Sequence, residues 1–328
     1  MRVGPEHREA AASRLVSTRP GPDRAAGRRF VTNAGALGID LSLLWASPLD
    51  PAAPTPGQFA QACLAVLGAG RTATVFVSST PSLPGKAGGQ RVQQDRADRI
   101  ALIRAACEGA AKGERGARLA QALLDPGDAA ALDAFVAAGF TRLGDLAYLR
   151  RPVPRTPPRP DPAMPPGIEL KRISDLPGGR GGEGDRLLMT ALAQSYIDTL
   201  DCPELAGLRD LADVVESHRA VGQYDPSLWW VVFHEGRPEG CMLLSRCPES
   251  HSVELVYLGL GPALRGRGLG TDLLALGLNR IAGPGGATLT CAVDTRNTPA
   301  QRLYRAAGFE RFATRIPVIR SIPAGPAA

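Results

Sequence analysis

The period of the apolar positions changes twice between residues 253 and 293. VELVYLGL (253–260) is apolar almost throughout, as expected of a strand covered on both faces. From 268 to 281 the apolar residues recur at helical spacing, with Leu269, Leu273, Leu274, Leu278 and Ile281 on one face. ATLTCAV (287–293) returns to a strand pattern, and a helix is predicted over 299–307 with Thr298 as N-cap, Pro299 in the first turn and Gly308 as the stop. Upstream, IELKRI (168–173) reads as a strand, 185–198 and 204–220 as helices, and SLWWVVF (227–233) with CMLLSRC (241–247) as a hairpin. FERFATRIPVIR (309–320) reads as a closing strand.

The first half carries a fainter version of that order. Helices are predicted over 6–17, 23–37 and 92–111, and strands over 41–47, 59–68, 72–79 and 117–125. DAAALDAFVAAGF (128–140) aligns with NTPAQRLYRAAGF (297–309), and the same offset of 309 − 140 = 169 carries strand 287–293 onto 118–124. Matching words in matching order predict an internal duplication. The fold class expected is α/β (α+β), two copies of one fold with mixed sheets flanked by helices.

PVPRTPPRPDPAMPP (152–166) separates the copies. Proline lacks an amide donor and favours extended geometry, so a semi-rigid connector is expected there. The division is then 1–150, a linker over 151–166, and 167–328. The net charge of +6 invites a nucleic-acid reading. It is concentrated, however, in residues 1–31 and 150–172, each carrying a surplus of +4, without the interleaved aromatics of a stacking surface. That pattern disfavours nucleic acid as a partner. Neither a membrane span nor a leader is predicted. Six scattered cysteines with no CxxC argue against a metal site and suit reduced thiols in a cytoplasm.

The chemistry is expected at VELVYLGLGPALRGRGLGTDLLALGL (253–278), where a strand enters a glycine-rich turn and then a helix. Gly266, Gly268 and Gly270 remove side chains where a loop approaches a ligand. Free amides at the next helix N-terminus suit a pyrophosphate, and Arg265 and Arg267 add charge. Thr271 stands where a dinucleotide fingerprint wants a third glycine, and no GxxxxGK[ST] occurs.

Arg265-Gly266-Arg267-Gly268-Leu269-Gly270 resembles the (Q/R)xxGx(G/A) signature of the GNAT acetyltransferase superfamily. Asn297-x-x-Ala300-x-x-Leu303-Tyr304-x-x-x-Gly308-Phe309 resembles its second block, and the tandem layout is similar to that of mycothiol synthases. The resemblance is strong over the second half and weak over the first. It implies acetyl-CoA as co-substrate, lying between strands 253–260 and 287–293. The main chain of Leu258, Gly259 and Leu260 would hold the pantetheine, and residues Arg265, Gly266, Arg267, Gly268, Leu269 and Gly270 the pyrophosphate. Asn297 would bond the cofactor or the strand end. Tyr304 matches the frequent general acid of the superfamily.

Glu254, the one charged residue in its strand, is the candidate base, since burial would raise its carboxyl into the operating range. The first copy has Asp128 for Asn297, Phe135 for Tyr304 and no RxxGxG. It is expected to be degenerate, with only Lys86, Gly88 and Gly89 as phosphate-facing candidates. The acceptor is expected to be an amine, in a small molecule or at a peptide N-terminus, bordered by 185–220, where Tyr196, Asp198, Asp201 and Glu204 cluster. An enzyme acting on an amino-thiol sugar conjugate and a non-catalytic acyl-CoA-binding protein remain as alternatives.

Overall fold

The computed structural model describes residues 1–323 except 19–20, 51, 80–88, 114–115 and 159. Contacts divide the chain into two compact units, Met1–Leu143 with the segment from Ile316, and Gly144–Arg315.

The first unit opens with helices α1 (Arg8–Leu15) and α2 (Arg24–Ala34), the latter capped by Asp23 accepting from Ala26 N–H. Strands β1 (Leu44–Pro48), β2 (Phe59–Gly68) and β3 (Thr72–Val77) precede α3 (Gly89–Ala110). Then follow β4 (Leu119–Leu124), α4 (Ala129–Ala137) and the short β5 (Thr141–Arg142). A 3-10 turn at Leu41–Leu43, held by Asp40, takes the first residues of the strand expected at 41–47. The sheet runs β1-β2-β3-β4 and ends on residues 316–321, with only β3–β4 parallel.

The second unit begins with β6 (Leu146–Pro152), a strand that the sequence pattern does not predict. It continues through β7 (Ile168–Arg172), α5 (Glu183–Tyr196), α6 (Leu211–Arg219), β8 (Trp229–His234), β9 (Arg237–Cys247) and β10 (Ser252–Leu260). After these come α7 (Leu269–Ile281), β11 (Thr288–Asp294), α8 (Thr298–Ala306) and β12 (Glu310–Ser321). Residues 310–315 of β12 edge this sheet, whose order inward is β6-β11-β10-β9-β8-β7. Its core holds Trp229, Trp230, Leu243 and the predicted α7 stripe, all buried. The single helix expected over 204–220 is instead a 3-10 turn at Pro203–Leu205 followed by α6. Gly207, at φ +75°, breaks the run between them.

The duplication extends to individual hydrogen bonds at the offset of 169. Asp128 accepts from Ala131 N–H at 2.9 Å, and Asn297 from Ala300 N–H at 3.2 Å. The helix is therefore capped by Asn297, one residue before the predicted Thr298. Both helices end alike. Phe140 N–H donates to Phe135 C=O and Phe309 N–H to Tyr304 C=O, each at 3.0 Å, with Gly139 and Gly308 at φ +96° and +80°. The parallel pairs also correspond, Thr72, Ala73 and Thr74 with residues 119–121, and Ser252, Val253 and Glu254 with residues 288–290.

The last strand of each copy crosses over. β6, from the first copy, pairs with β11, while residues 316–321, from the second copy, pair with β4. Residues 152–166 lie within the second unit. Val153 is buried in its core, Met164 packs on that core, and Asp161 accepts from Asn279 Nδ2 (2.9 Å) and Arg280 Nη2 (2.5 Å) at the end of α7. An extended proline segment needs few backbone partners, so side chains dock it.

Candidate active site

β10 and β11 pair in parallel only at Ser252–Thr288, Val253–Leu289 and Glu254–Thr290. Beyond Glu254, β10 keeps β9 as far as Leu260, and β11 keeps β6 as far as Asp294. The two strands thus part on one side of Glu254. Main-chain groups of Leu258, Gly259 and Leu260 that point away from β9 face the gap. A bulge at Val256 turns the strand where it parts. A side chain at 259 would collide with the phenol of Tyr257, which lies over that glycine and hydrogen-bonds Ser195 Oγ at 2.8 Å.

The turn after β10 reaches α7 through Gly266 (φ +74°) and Gly268 (φ +81°), conformations that L side chains rarely adopt. A Cβ at either would stand in open space, so the loop presents bare backbone to solvent. Gly268 is the N-cap and supplies no side-chain cap to the first-turn amides. Such a cradle fits an anion, and both glycines leave room for one to approach the amides closely. Gly270 is different, because a Cβ there would meet Leu303 at 3.2 Å. It lets α7 pack close to α8.

Arg265 also departs from expectation. Its guanidinium donates to the carbonyls of Leu260 (2.9 Å), Asp198 (3.1 Å), Ser195 (3.0 Å) and Ile197 (2.7 Å). It ties the segment after α5 to the end of β10. Arg267 is exposed.

Glu254 is half-buried at the last paired position, and desolvation raises its carboxyl. Tyr304 is buried on α8, 5.4 Å from the ring of Phe309. Burial and the neighbouring Cys291 and Asp201 hold its phenol well above the usual value. Cys291 is itself pushed up to about 12 by burial, so it is a protonated thiol at neutral pH. Asn297 is committed to structure through its cap, and its side chain also bonds Asp201.

The cluster expected in 196–204 divides. Asp201 turns its carboxylate onto the N–H of Asp294 at 2.9 Å. Desolvation, countered by that hydrogen bond, raises Asp201. Against its own desolvation, Asp294 is held low by hydrogen bonds from Arg296 and from Cys202 N–H. Arg296 spans Asp294 and Glu204, meeting the latter with two nitrogens at 2.6 and 2.9 Å. These residues join the 197–205 segment to the mouth of β11. Tyr196 packs edge-on against Tyr257 at 5.8 Å, and His218 stacks on Tyr257 at 5.7 Å. Desolvation, with Arg209 nearby, lowers His218 to about 4.

Sequence reasoning missed the residues that β6 brings. Its register sets Arg150 opposite Thr290, on the far side of β11 from Glu254, and Tyr148 opposite Ala292. Tyr148 is half-buried; desolvation raises its phenol, and the charge of Glu254 adds to that. In the first copy, Thr74 stands where Glu254 does and Phe135 where Tyr304 does. Lys86 and Gly88 lie outside the described residues.

Residues 195–309 match the model of the acetyltransferase (GNAT) family. Mycothiol acetyltransferases of Streptomyces bingchenggensis and Mycolicibacterium smegmatis are 29% and 30% identical over 180 and 176 residues. These matches cover 54% and 52% of this chain and 54% of each relative. The match thus spans about half the length of those curated relatives. A GCN5-related N-acetyltransferase from Sphaerobacter thermophilus aligns over 96% of this chain and 91% of its own, at a TM-score of 0.52 and 19% identity. That likeness concerns the fold and extends through both copies. Residues 195–309 are thus similar to the acetyltransferase (GNAT) family, and the fold of the chain is like that of a solved GCN5-related N-acetyltransferase.

Proposed function

We propose that the protein is an acetyl-CoA-dependent N-acetyltransferase that passes the acetyl group directly to a primary amine, with the chemistry confined to the second copy. The observation that carries this reading is the parting of β10 from β11 at Glu254, beside a glycine cradle built on Gly266 and Gly268. A strand edge without a strand partner can hydrogen-bond an extended amide-bearing arm such as pantetheine, here along Leu258, Gly259 and Leu260, the last with its carbonyl already accepting from Arg265 Nε. The amides of residues 266–270 suit the pyrophosphate, since that of Arg265 already donates to Pro262 C=O. The amine attacks the thioester carbon; a C–N bond forms and the C–S bond breaks. Glu254 takes the ammonium proton, directly or through water, and Tyr304 supplies one to the departing thiolate. Asn297 supports the reading indirectly, by fixing the start of the helix that carries Tyr304.

The test is calorimetry of acetyl-CoA binding together with release of free CoA thiol against a panel of amines. Gly268→Glu places a negative side chain in the cradle and is expected to abolish binding; unchanged affinity would remove the pyrophosphate assignment. The curated relatives favour a second, narrower reading, in which the acceptor is an amino-thiol sugar conjugate. Faster turnover of such a conjugate than of the amine panel would establish it. A cytoplasmic setting accords with free cysteines at all six positions.

A further inference from the structure

One face of the second unit's sheet carries a row beside Glu254 that is half-buried at Glu254 and Thr290 and exposed at Arg150. Register places Glu254 on β10, Thr290 on β11 and Arg150 on β6 side by side. Residues in register project to the same face. With strands about 4.8 Å apart, the backbones of Glu254 and Arg150 stand roughly 10 Å apart. The next row holds Ala292, exposed and small, and Tyr148. Beside Ala292, β10 no longer pairs, so this floor adjoins the gap between the parted strands.

Phe312 completes the face. It is the extra residue of a bulge in β12, between Arg311 and Ala313, and is 48% exposed. Its ring lies 6.2 Å from that of Tyr148, and the Arg150 guanidinium sits over it, 5.4 Å from the ring centre. Among the described residues Arg150 forms no ion pair with a carboxylate, although Glu310 is opposite it in register. By contrast, Arg172, Arg219, Arg280 and Arg296 of the same unit all have carboxylate partners. A cation held on an aromatic face and left without a counter-charge is suited to an incoming anion.

Resting on the reading above, we propose that the acceptor is an amine that also bears an anionic group. Glu254 receives the amine, Arg150 binds the carboxylate or phosphate about two strand spacings away, and the intervening part lies on Ala292 against Tyr148 and Phe312. Arg150 is thereby a specificity residue, contributed by the sequence of the first copy.

The test uses the full chain and matched acceptors. Amino acids and dipeptides are compared with their C-terminal amides, and phosphoethanolamine with ethanolamine. Expected is a kcat/KM at least about tenfold higher for the anionic member of the favoured pair, the size of one charge-assisted hydrogen bond. Arg150→Gln should erase that preference through KM, with kcat little changed, and Arg150→Lys should restore part of it. Thermal melts establish that the variants fold. The carboxylate and phosphate arms decide which anion is taken. Equal or better turnover of the neutral partners, or a preference that survives in Arg150→Gln, would overturn the proposal. So would acceptance of a neutral amino-thiol conjugate alone, or no turnover of any pair by protein that binds acetyl-CoA. A wild-type chain that fails to bind acetyl-CoA would bring down the broader reading as well, which separates the two failures.

Discussion

Tyr304→Phe separates chemistry from structure with an internal control. The control is Phe135, which occupies the equivalent place in the first copy and accepts the same helix-ending bond, from Phe140 N–H at 3.0 Å. Phenylalanine therefore fits this position of the fold. No described residue hydrogen-bonds the Tyr304 phenol, so removing it leaves no partner stranded. The stability change should stay within about 1 kcal/mol. Its raised pKa keeps the phenol protonated through pH 9, in the form a proton donor needs. Loss of a positioned acid costs about 10²–10⁴ in rate. The expected result is a kcat fall of that order at every pH from 7 to 9, with acetyl-CoA affinity and melting temperature nearly unchanged. The reverse change, Phe135→Tyr, buries a hydroxyl at a fully enclosed site and should cost about 1–3 kcal/mol with no effect on kcat. A Tyr304→Phe enzyme with wild-type kcat and an unchanged melt would refute the acid role and leave Tyr304 as a core aromatic.

Glu254→Gln should lower kcat by about 10²–10⁴ and remove the acid limb of the kcat/KM profile, which in the wild type should lie above the ordinary carboxyl value of 4.5. Because its folded pKa is raised, its contribution to stability is greatest below the unfolded value and is lost as pH rises through the folded one. Denaturant midpoints of Glu254→Gln should therefore fall less over that window. His218 has the opposite sign. Its folded value of about 4 lies below the ordinary 6.5, so stability is lost as pH drops between them, by at most about 3.4 kcal/mol, and His218→Phe should flatten that slope in urea titrations. A fragment comprising 167–328 lacks β6, the strand between β11 and the start of β12. It should show no cooperative melt where the full chain does, and a sharp transition in the fragment would show that the sheet tolerates the loss.

The elements around the site were legible because each carried a local signal. The α7 stripe, the positive-φ glycines and the helix stop at Gly308 are properties of short stretches, and all appear where the spacing put them. What escaped depends on partners distant in sequence. Ala147 and Leu149 alternate with Tyr148 and Arg150 in the period of a half-covered strand, but seven residues beside a proline run gave little to fix a strand there. Its partners, at 288–294 and 310–315, are identified only by pairing. Arg265 reads as phosphate-binding because it adjoins the glycines. Four carbonyls, three of them 67 to 70 residues away, take its hydrogens instead.

The crossover of last strands gives a physical reason why a copy without the RxxGxG sequence persists. Each copy ends in a strand that completes the sheet built by the other. β6 lies against β11, and residues 316–321 lie against β4. Deleting the first copy would expose the edge of β11 at the strand whose parting from β10 makes the gap. An unpaired edge loses its ladder and invites association. The first copy can therefore lose Glu254 and Tyr304 equivalents without penalty, since Thr74 and Phe135 keep the backbone bonds. It cannot lose the pattern of 146–152. On the proposed reading that strand meets two requirements at once, inward Ala147 and Leu149 for the core, and outward Tyr148 and Arg150 beside Glu254.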